Sequence, residues 1–196
     1  AALRRPRAIL GTDDNVGPRY ADAVCASLDA AGVAVDRVTI AAGESSKSFA
    51  GLEQVCGAAL DGKLERGDGV IALGGGVVGD LAGFAAAVLL RGVDYIQIPT
   101  SLLAQVDSAV GGKTGIDFPQ GKNLVGAFHQ PKLVIADIAT LDSLPIRELR
   151  AGYAEIVKYG LLGDAACFDA LERDAAPMLA GDADLRRWAV RKSVEA

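Results

Sequence analysis

Residues 69–73, Gly-Val-Ile-Ala-Leu, form a continuous apolar run without polar alternation, and Gly74, Gly75 and Gly76 follow it directly. A strand that apolar is buried on both faces, which calls for a parallel sheet covered by helices on either side. The rest of the first half agrees. Residues 8–11 read as a short strand and 19–31 as a helix, with Tyr20, Val24, Ser27 and Leu28 on one face and Gly32 as its stop. Residues 35–40 read as a strand, 49–61 as a helix, 81–90 as an apolar core helix, and 95–98 and 133–137 as further strands. Between the last two strands, residues 102–130 are glycine-rich and show little periodicity, so an irregular segment is expected. Such a segment inside a compact domain is usually functional. From Pro145 onward only helical patterns remain, such as 147–162 and 164–171, with more alanine, arginine and aspartate. The expected organisation is therefore an α/β domain over residues 1–144, then the start of an all-α domain over 145–196.

Composition narrows the chemistry. The 196 residues contain one histidine, His129, and three scattered cysteines, Cys25, Cys56 and Cys167, with no metal-ligand spacing among them. A self-contained His/Cys metal site is excluded. The net charge of −5 argues against nucleic acid, and a small polar or anionic substrate is expected instead. An odd, scattered cysteine set reads as reduced thiols, so the cytoplasm is the expected compartment. No signal-like segment opens the chain and no apolar stretch approaches the roughly 20 residues needed to span a bilayer, so no membrane partner is expected. The sequence starts at Ala1 without methionine, and a missing N-terminus is expected.

The glycine turn is the strongest local feature. Glycines between a strand and a helix let backbone approach a ligand closely, and the helix N-terminus offers free N–H groups to a pyrophosphate. The spacing is not G-x-G-x-x-G, and a turn that merely packs helix on strand is the plainer alternative. Asp80 then reads as a possible helix cap. Glu44 lies just past the second strand, where an acidic side chain can bind a ribose, and Lys47 could meet a phosphate; an exposed capping cluster is the other reading. Asp107, Lys113 and Lys122 lie in the irregular stretch, where ammonium groups and glycines could clamp a phosphorylated or carboxylated ligand, or be solvated loop charges. Gly112-Lys113-Thr114 is not a Walker A motif, because its first glycine would fall at Asp107. Glu155 and Lys158 share a helix face, either as a surface ion pair or, in apolar surroundings, as a carboxylate awaiting a metal that His129 alone among histidines could join. His129, between Phe128 and Gln130-Pro131, reads better as a packed or ligand-lining ring.

In order, the chain carries Gly43-Glu44-x-x-Lys47-Ser48, Leu73-Gly74-Gly75-Gly76-Val77-Val78-Gly79-Asp80-Leu81, Arg91-Gly92-Val93 and Ile98-Pro99-Thr100-Ser101-Leu102-Leu103-Ala104-Gln105-Val106-Asp107-Ser108. Gly111-Gly112-Lys113-Thr114, Gly121-Lys122-Asn123 and Ala154-Glu155-Ile156-Val157-Lys158-Tyr159-Gly160 follow. Together these resemble the 3-dehydroquinate synthases of the sugar-phosphate cyclases, over almost the whole chain. The resemblance implies a Rossmann-like nucleotide-binding domain followed by a helical one. It also implies an NAD- and zinc- or cobalt-dependent lyase, homodimeric, converting 3-deoxy-arabino-heptulosonate 7-phosphate to 3-dehydroquinate and phosphate. By motif, NAD contacts would fall on Asp13, Asn15, Glu44, Lys47, Gly75, Gly76, Val77, Asp80, Thr100, Ser101, Lys122, Thr140, Leu141, Asp142 and Ser143. Asp107, Lys113, Asn123 and Lys158 would face substrate, Arg91 would reach a phosphate across the dimer, and Glu155 would bind the metal. Ser101 stands where the family often has threonine. The family's two histidine ligands and further substrate contacts lie in a later helical region, so the chain alone is expected not to turn over. Related cyclases making inososes or valiolones, and metal-dependent polyol dehydrogenases, share the pattern as alternatives.

Overall fold

All six residues of the strand Gly69–Gly74 are buried, and the architecture follows from covering both its faces. The computed structural model describes residues 6–195. Its strands are β1 (Arg7–Asp13), β2 (Ala34–Ile40), β3 (Gly69–Gly74), β4 (Asp94–Pro99), β5 (Lys113–Phe118), β6 (Gly121–Phe128) and β7 (Leu133–Val134). The helices are α1 (Asp22–Ala30), α2 (Phe49–Asp61), α3 (Gly76–Val88), α4 (Ile146–Leu161), α5 (Ala165–Ala180) and α6 (Ala183–Glu195). Five strands form a parallel sheet in the order β2-β1-β3-β4-β7. The period-2 alternation sorts side chains onto two faces. Ile9, Val70 and Ala72 join Val55, Ala59, Leu81 and Phe84 of α2 and α3 in one core. Ala8, Leu10, Ile71 and Leu73 meet Val24 and Leu28 of α1 in the other. This is the Rossmann-like parallel sheet expected from the sequence.

In the order β2-β1-β3-β4, the chain leaves β1 toward β2 and leaves β3 toward β4, so the connections from these two neighbouring strands run in opposite directions. A topological switch point of this kind opens a crevice at the carboxyl ends of the strands, here between Asp13 and Gly74.

Several elements differ from the sequence expectations. Residues 102–130 are not irregular throughout: after a π-helical turn, Ala104–Ser108, they fold into the antiparallel hairpin β5–β6. The glycines that hid the periodicity are needed for strand contact. Gly115 and Gly126 face each other, and a Cβ on Gly126 would lie 2.0 Å from Thr114 O. The hairpin lies against α3, where a Cβ on Gly83 would be 2.6 Å from Thr114. Helix α3 starts at Gly76 rather than residue 81, so Asp80 sits in its second turn and caps nothing. A π-helical turn, Gly17–Ala21, precedes α1. Strand β7 is two residues long. Helix α5 passes residue 171 and tolerates Pro177 near its end, because Leu171 and Met178 are both buried in one core.

That third core joins Leu149, Ile156, Cys167, Leu171, Met178 and Ala189 of α4–α6 to Leu102, Val106 and Leu141. The helical part thus packs directly on the turns that follow β4 and β7. No helix among the described residues is long and apolar enough to cross a membrane.

Candidate functional site

Two of the strand ends build the floor of the crevice. At the end of β1, Asp13 Oδ1 accepts the N–H groups of Asn15 and Val16 at 2.9 and 2.8 Å, folding the chain sharply and leaving Asn15 exposed. At the end of β3, Gly75 is the N-cap of α3 and carries no side-chain cap. The first helical bond there runs from Gly79 N to Gly75 O, so the preceding amides, those of Gly76 and Val77 included, point out of the helix end toward an anion. A Cβ on Gly75 would stand 3.4 Å from Ser101 Oγ, and one on Gly76 would stand 3.1 Å from Ser108 Oγ. The glycines keep this floor free of side chains, and at Gly76 a Cβ would crowd Ser108. Thr100, buried beside it, donates its N–H to Gly74 O at 2.9 Å.

The side wall is a charge cluster centred on Lys47, whose side chain is 5% exposed. Its Nζ lies 2.7 Å from Asp80 Oδ2, 3.9 Å from Glu44 Oε1 and 4.0 Å from Asp117 Oδ1, and it donates to Asn123 Oδ1. Lys122 adds an exposed pair with Glu44 at 3.0 Å. Burial raises the Asp80 carboxyl above the usual range; Lys47 opposes this, while Glu44 and Asp117 reinforce it. The hydrogen bond to Glu44 raises the Lys122 ammonium. Three carboxylates thus share one buried and one exposed cation.

An open cavity of about 500 Å³ lies next to the cluster, lined by Asp80, Asp107, Ser108, Lys113, Asn123 and Phe128 among others. On helix α4 the Tyr159 hydroxyl donates to Val106 O at 3.4 Å, and burial, with the Asp107 charge nearby, pushes its pKa up. One turn earlier Glu155, largely covered, accepts from Lys158 Nζ. The pair on one helix face is therefore real, with Glu155 partly covered and Lys158 exposed to solvent.

The turn Ile138–Ser143 follows β7. Thr140 is buried and receives Gln105 Nε2 at 3.3 Å, Leu141 is in the third core, Asp142 pairs with Arg186 at 2.6 Å, and Ser143 Oγ is 2.7 Å from Tyr20 OH. Arg91 lies apart, exposed on the turn between α3 and β4 at the other end of the sheet, where Leu90, Arg91 and Gly92 all take positive φ. His129 does not join Glu155. Its ring stacks on Tyr95 with centroids 5.2 Å apart and one ring nitrogen lies 2.8 Å from Val93 O. Burial pushes the Tyr95 hydroxyl up to about 12. Among the described residues no three His, Cys, Asp or Glu side chains are grouped to hold a metal ion.

The structure thus brings Asp13, Glu44, Lys47, Gly75, Gly76, Asp80, Asp107, Lys113, Lys122 and Asn123 to one crevice. The sequence reading missed Asp117, Ser108, Tyr20, Gln105 and Arg186. Asp117-Phe118-Pro119-Gln120-Gly121 does carry a turn signature that would have revealed the hairpin.

Comparisons with known proteins place the family and the fold. Residues 37–151 match a family model described as 3-dehydroquinate synthase N-terminal. The 3-dehydroquinate synthase of Caulobacter vibrioides is 57% identical over 192 residues, which are 98% of this chain and 52% of that protein. The chain spans about half the length of the curated relatives it matches. A solved 2-epi-5-epi-valiolone synthase from Streptomyces hygroscopicus subsp. jinggangensis 5008, with NAD+ and Zn2+ bound, superposes with a TM-score of 0.93 at 33% identity, covering 99% of this chain and 54% of that one. A 2-deoxy-scyllo-inosose synthase complexed with carbaglucose-6-phosphate, NAD+ and Co2+ superposes at 0.75 with 30% identity, over 81% of this chain and 43% of its own.

Proposed function

The chain belongs to the 3-dehydroquinate synthase family, and on that premise we propose that it forms the NAD-binding part, residues 1–144, and the first helices, residues 145–196, of a cytoplasmic, homodimeric 3-dehydroquinate synthase. The observation that carries this reading is the single crevice in which the open glycine floor, the Lys47 cluster and the Asp107–Lys113 cavity adjoin. The floor and the amides of the α3 N-terminus suit a pyrophosphate, and Glu44 sits at the end of β2, where a carboxylate accepts ribose hydroxyls. NAD, when bound, supplies reversible oxidation of a ring hydroxyl.

The chain's own residues then have distinct tasks. Lys47 holds Asp80 and Asn123 in place, and Lys122 is the solvent-side cation paired with Glu44. Lys113 and Lys158 present ammonium groups to the anionic ends of a 3-deoxy-heptulosonate 7-phosphate, while the Asp107 carboxylate accepts from a substrate hydroxyl. Arg91, at the opposite end of the sheet, serves the phosphate site of a second copy. Glu155 offers one carboxylate to a zinc or cobalt ion. A single carboxylate does not make a metal site, so the chain alone is expected to bind NAD and release no phosphate. Calorimetric titration with NAD tests the reading. Asp80→Ala and Lys122→Ala should weaken binding, and unchanged affinity in both would overturn the cofactor assignment. Phosphate release from the heptulosonate phosphate with added NAD and zinc should be absent, and robust release would refute the one-ligand argument.

A further inference from the structure

The hairpin changes register at one residue. Ile116 faces Val125 and Phe118 faces Gly121, so Asp117 alone occupies the interval that Lys122, Asn123 and Leu124 span on β6. Bulges of this kind take residues out of the ladder and re-aim their side chains. Asn123 is left with φ 57°, a left-handed conformation that is uncommon outside glycine but that asparagine tolerates better than most residues.

Asp117 anchors this conformation. Its N–H leaves the hairpin and donates to Lys47 O at 2.8 Å. Its Oδ1 accepts the Asn123 N–H at 2.9 Å and stands 4.0 Å from Lys47 Nζ. The re-aimed side chains then meet the turn after β2: Asn123 Oδ1 receives Lys47 Nζ, and Lys122 reaches Glu44. Lys47 already has Asp80 at 2.7 Å for charge balance, so the contact that depends on Asp117 most directly is the one with the Asn123 amide.

We infer that Asp117 is a positioning residue that closes the β6 bulge and thereby presents Asn123 and Lys122 to the crevice beside Lys47 and Glu44. The inference rests on the reading of those four residues as ligand contacts. The contact needs an oxygen acceptor rather than a charge, so Asp117→Asn keeps it and Asp117→Ala removes it.

Amide hydrogen exchange at Asn123, followed by NMR, and calorimetric titration with NAD test this on the same chain. A hydrogen bond to a neutral or charged oxygen is worth enough for up to about a tenfold effect. Asp117→Ala should therefore speed Asn123 exchange and weaken NAD binding by about tenfold each, and Asp117→Asn should restore both to near the parent values. Unchanged Asn123 exchange in Asp117→Ala overturns the inference, as does an Asp117→Asn chain with faster exchange or weaker NAD binding than the parent. That second arm decides the question even if the alanine variant does not fold. A parent chain that binds no NAD would overturn the cofactor reading, while the exchange comparison still decides whether Asp117 holds the bulge.

Discussion

Lys47 shows what a single buried charge does to the crevice. With its side chain nearly covered and Asp80 at 2.7 Å, removing the ammonium leaves the Asp80 carboxylate buried among Glu44 and Asp117. Breaking one side of a buried pair costs about 3 kcal/mol, so Lys47→Met is expected to lower the melting temperature by roughly 6 to 12 °C in a chain of this size. The sign of the pH dependence follows from Asp80, whose folded pKa already lies above its ordinary value through burial. A raised carboxyl favours the protonated fold, and that stability is lost as pH rises through the folded pKa. Without Lys47 the shift grows, so the deficit of Lys47→Met against the parent should be larger at pH 7 than at pH 5 in parallel thermal melts. A deficit that does not change between the two would show that Asp80 is not the group left exposed to the loss. Glu44, Lys47 and Asp80 were legible in the sequence because strand ends and glycine turns mark where such residues gather. Asp117 was not, because its part comes from a register change that no periodicity records.

The elements that sequence periodicity recovered are those with one dominant face. Strands β1, β3 and β4 and helix α2 have long apolar runs or a clear stripe, whereas β5–β6 alternates only weakly and carries glycines at the points of closest strand approach. Glycine therefore has opposite meanings in two elements, and substitution separates them. Gly57 lies inside α2 with nothing within 4 Å of an added Cβ, so Gly57→Ala removes only the backbone freedom of glycine and should stabilise by about 1 kcal/mol. Gly126 faces Gly115 with Thr114 O at 2.0 Å from an added Cβ, so Gly126→Ala must push the strands apart and should cost at least 2 kcal/mol, on the order of overpacking elsewhere. Chemical denaturation of the two variants checks both signs. A neutral Gly126→Ala would mean that the hairpin glycine has no such packing role, and a destabilised Gly57→Ala would mean that α2 needs glycine there for another reason.

On the scale of the whole molecule, the α/β half and the helices after residue 145 share a core, and an ion pair links that core to the turn after β7. Arg186 on α6 is nearly buried, its Nε donating to Met178 O at 3.2 Å and its Nη1 pairing with Asp142, whose side chain is 72% exposed. The two partners are thus unequal. Asp142→Ala strips the counter-charge from a cation that cannot reach water and should cost about 3 kcal/mol. Arg186→Met replaces the buried guanidinium with an apolar chain of similar length among Met178 and Ala189 and leaves an aspartate already in solvent, so it should be close to neutral. Hydrogen exchange gives the location of the effect as well as its size. In Asp142→Ala the amides of α6 and of the Ile138–Ser143 turn should open together, because the same pair fastens both, while β1 and β3 keep their protection. If Arg186→Met is the more damaging of the two, the pair is holding the helices by packing rather than by charge, and the link between the two halves of the chain lies in the shared apolar core of Leu141, Leu149 and Ala189.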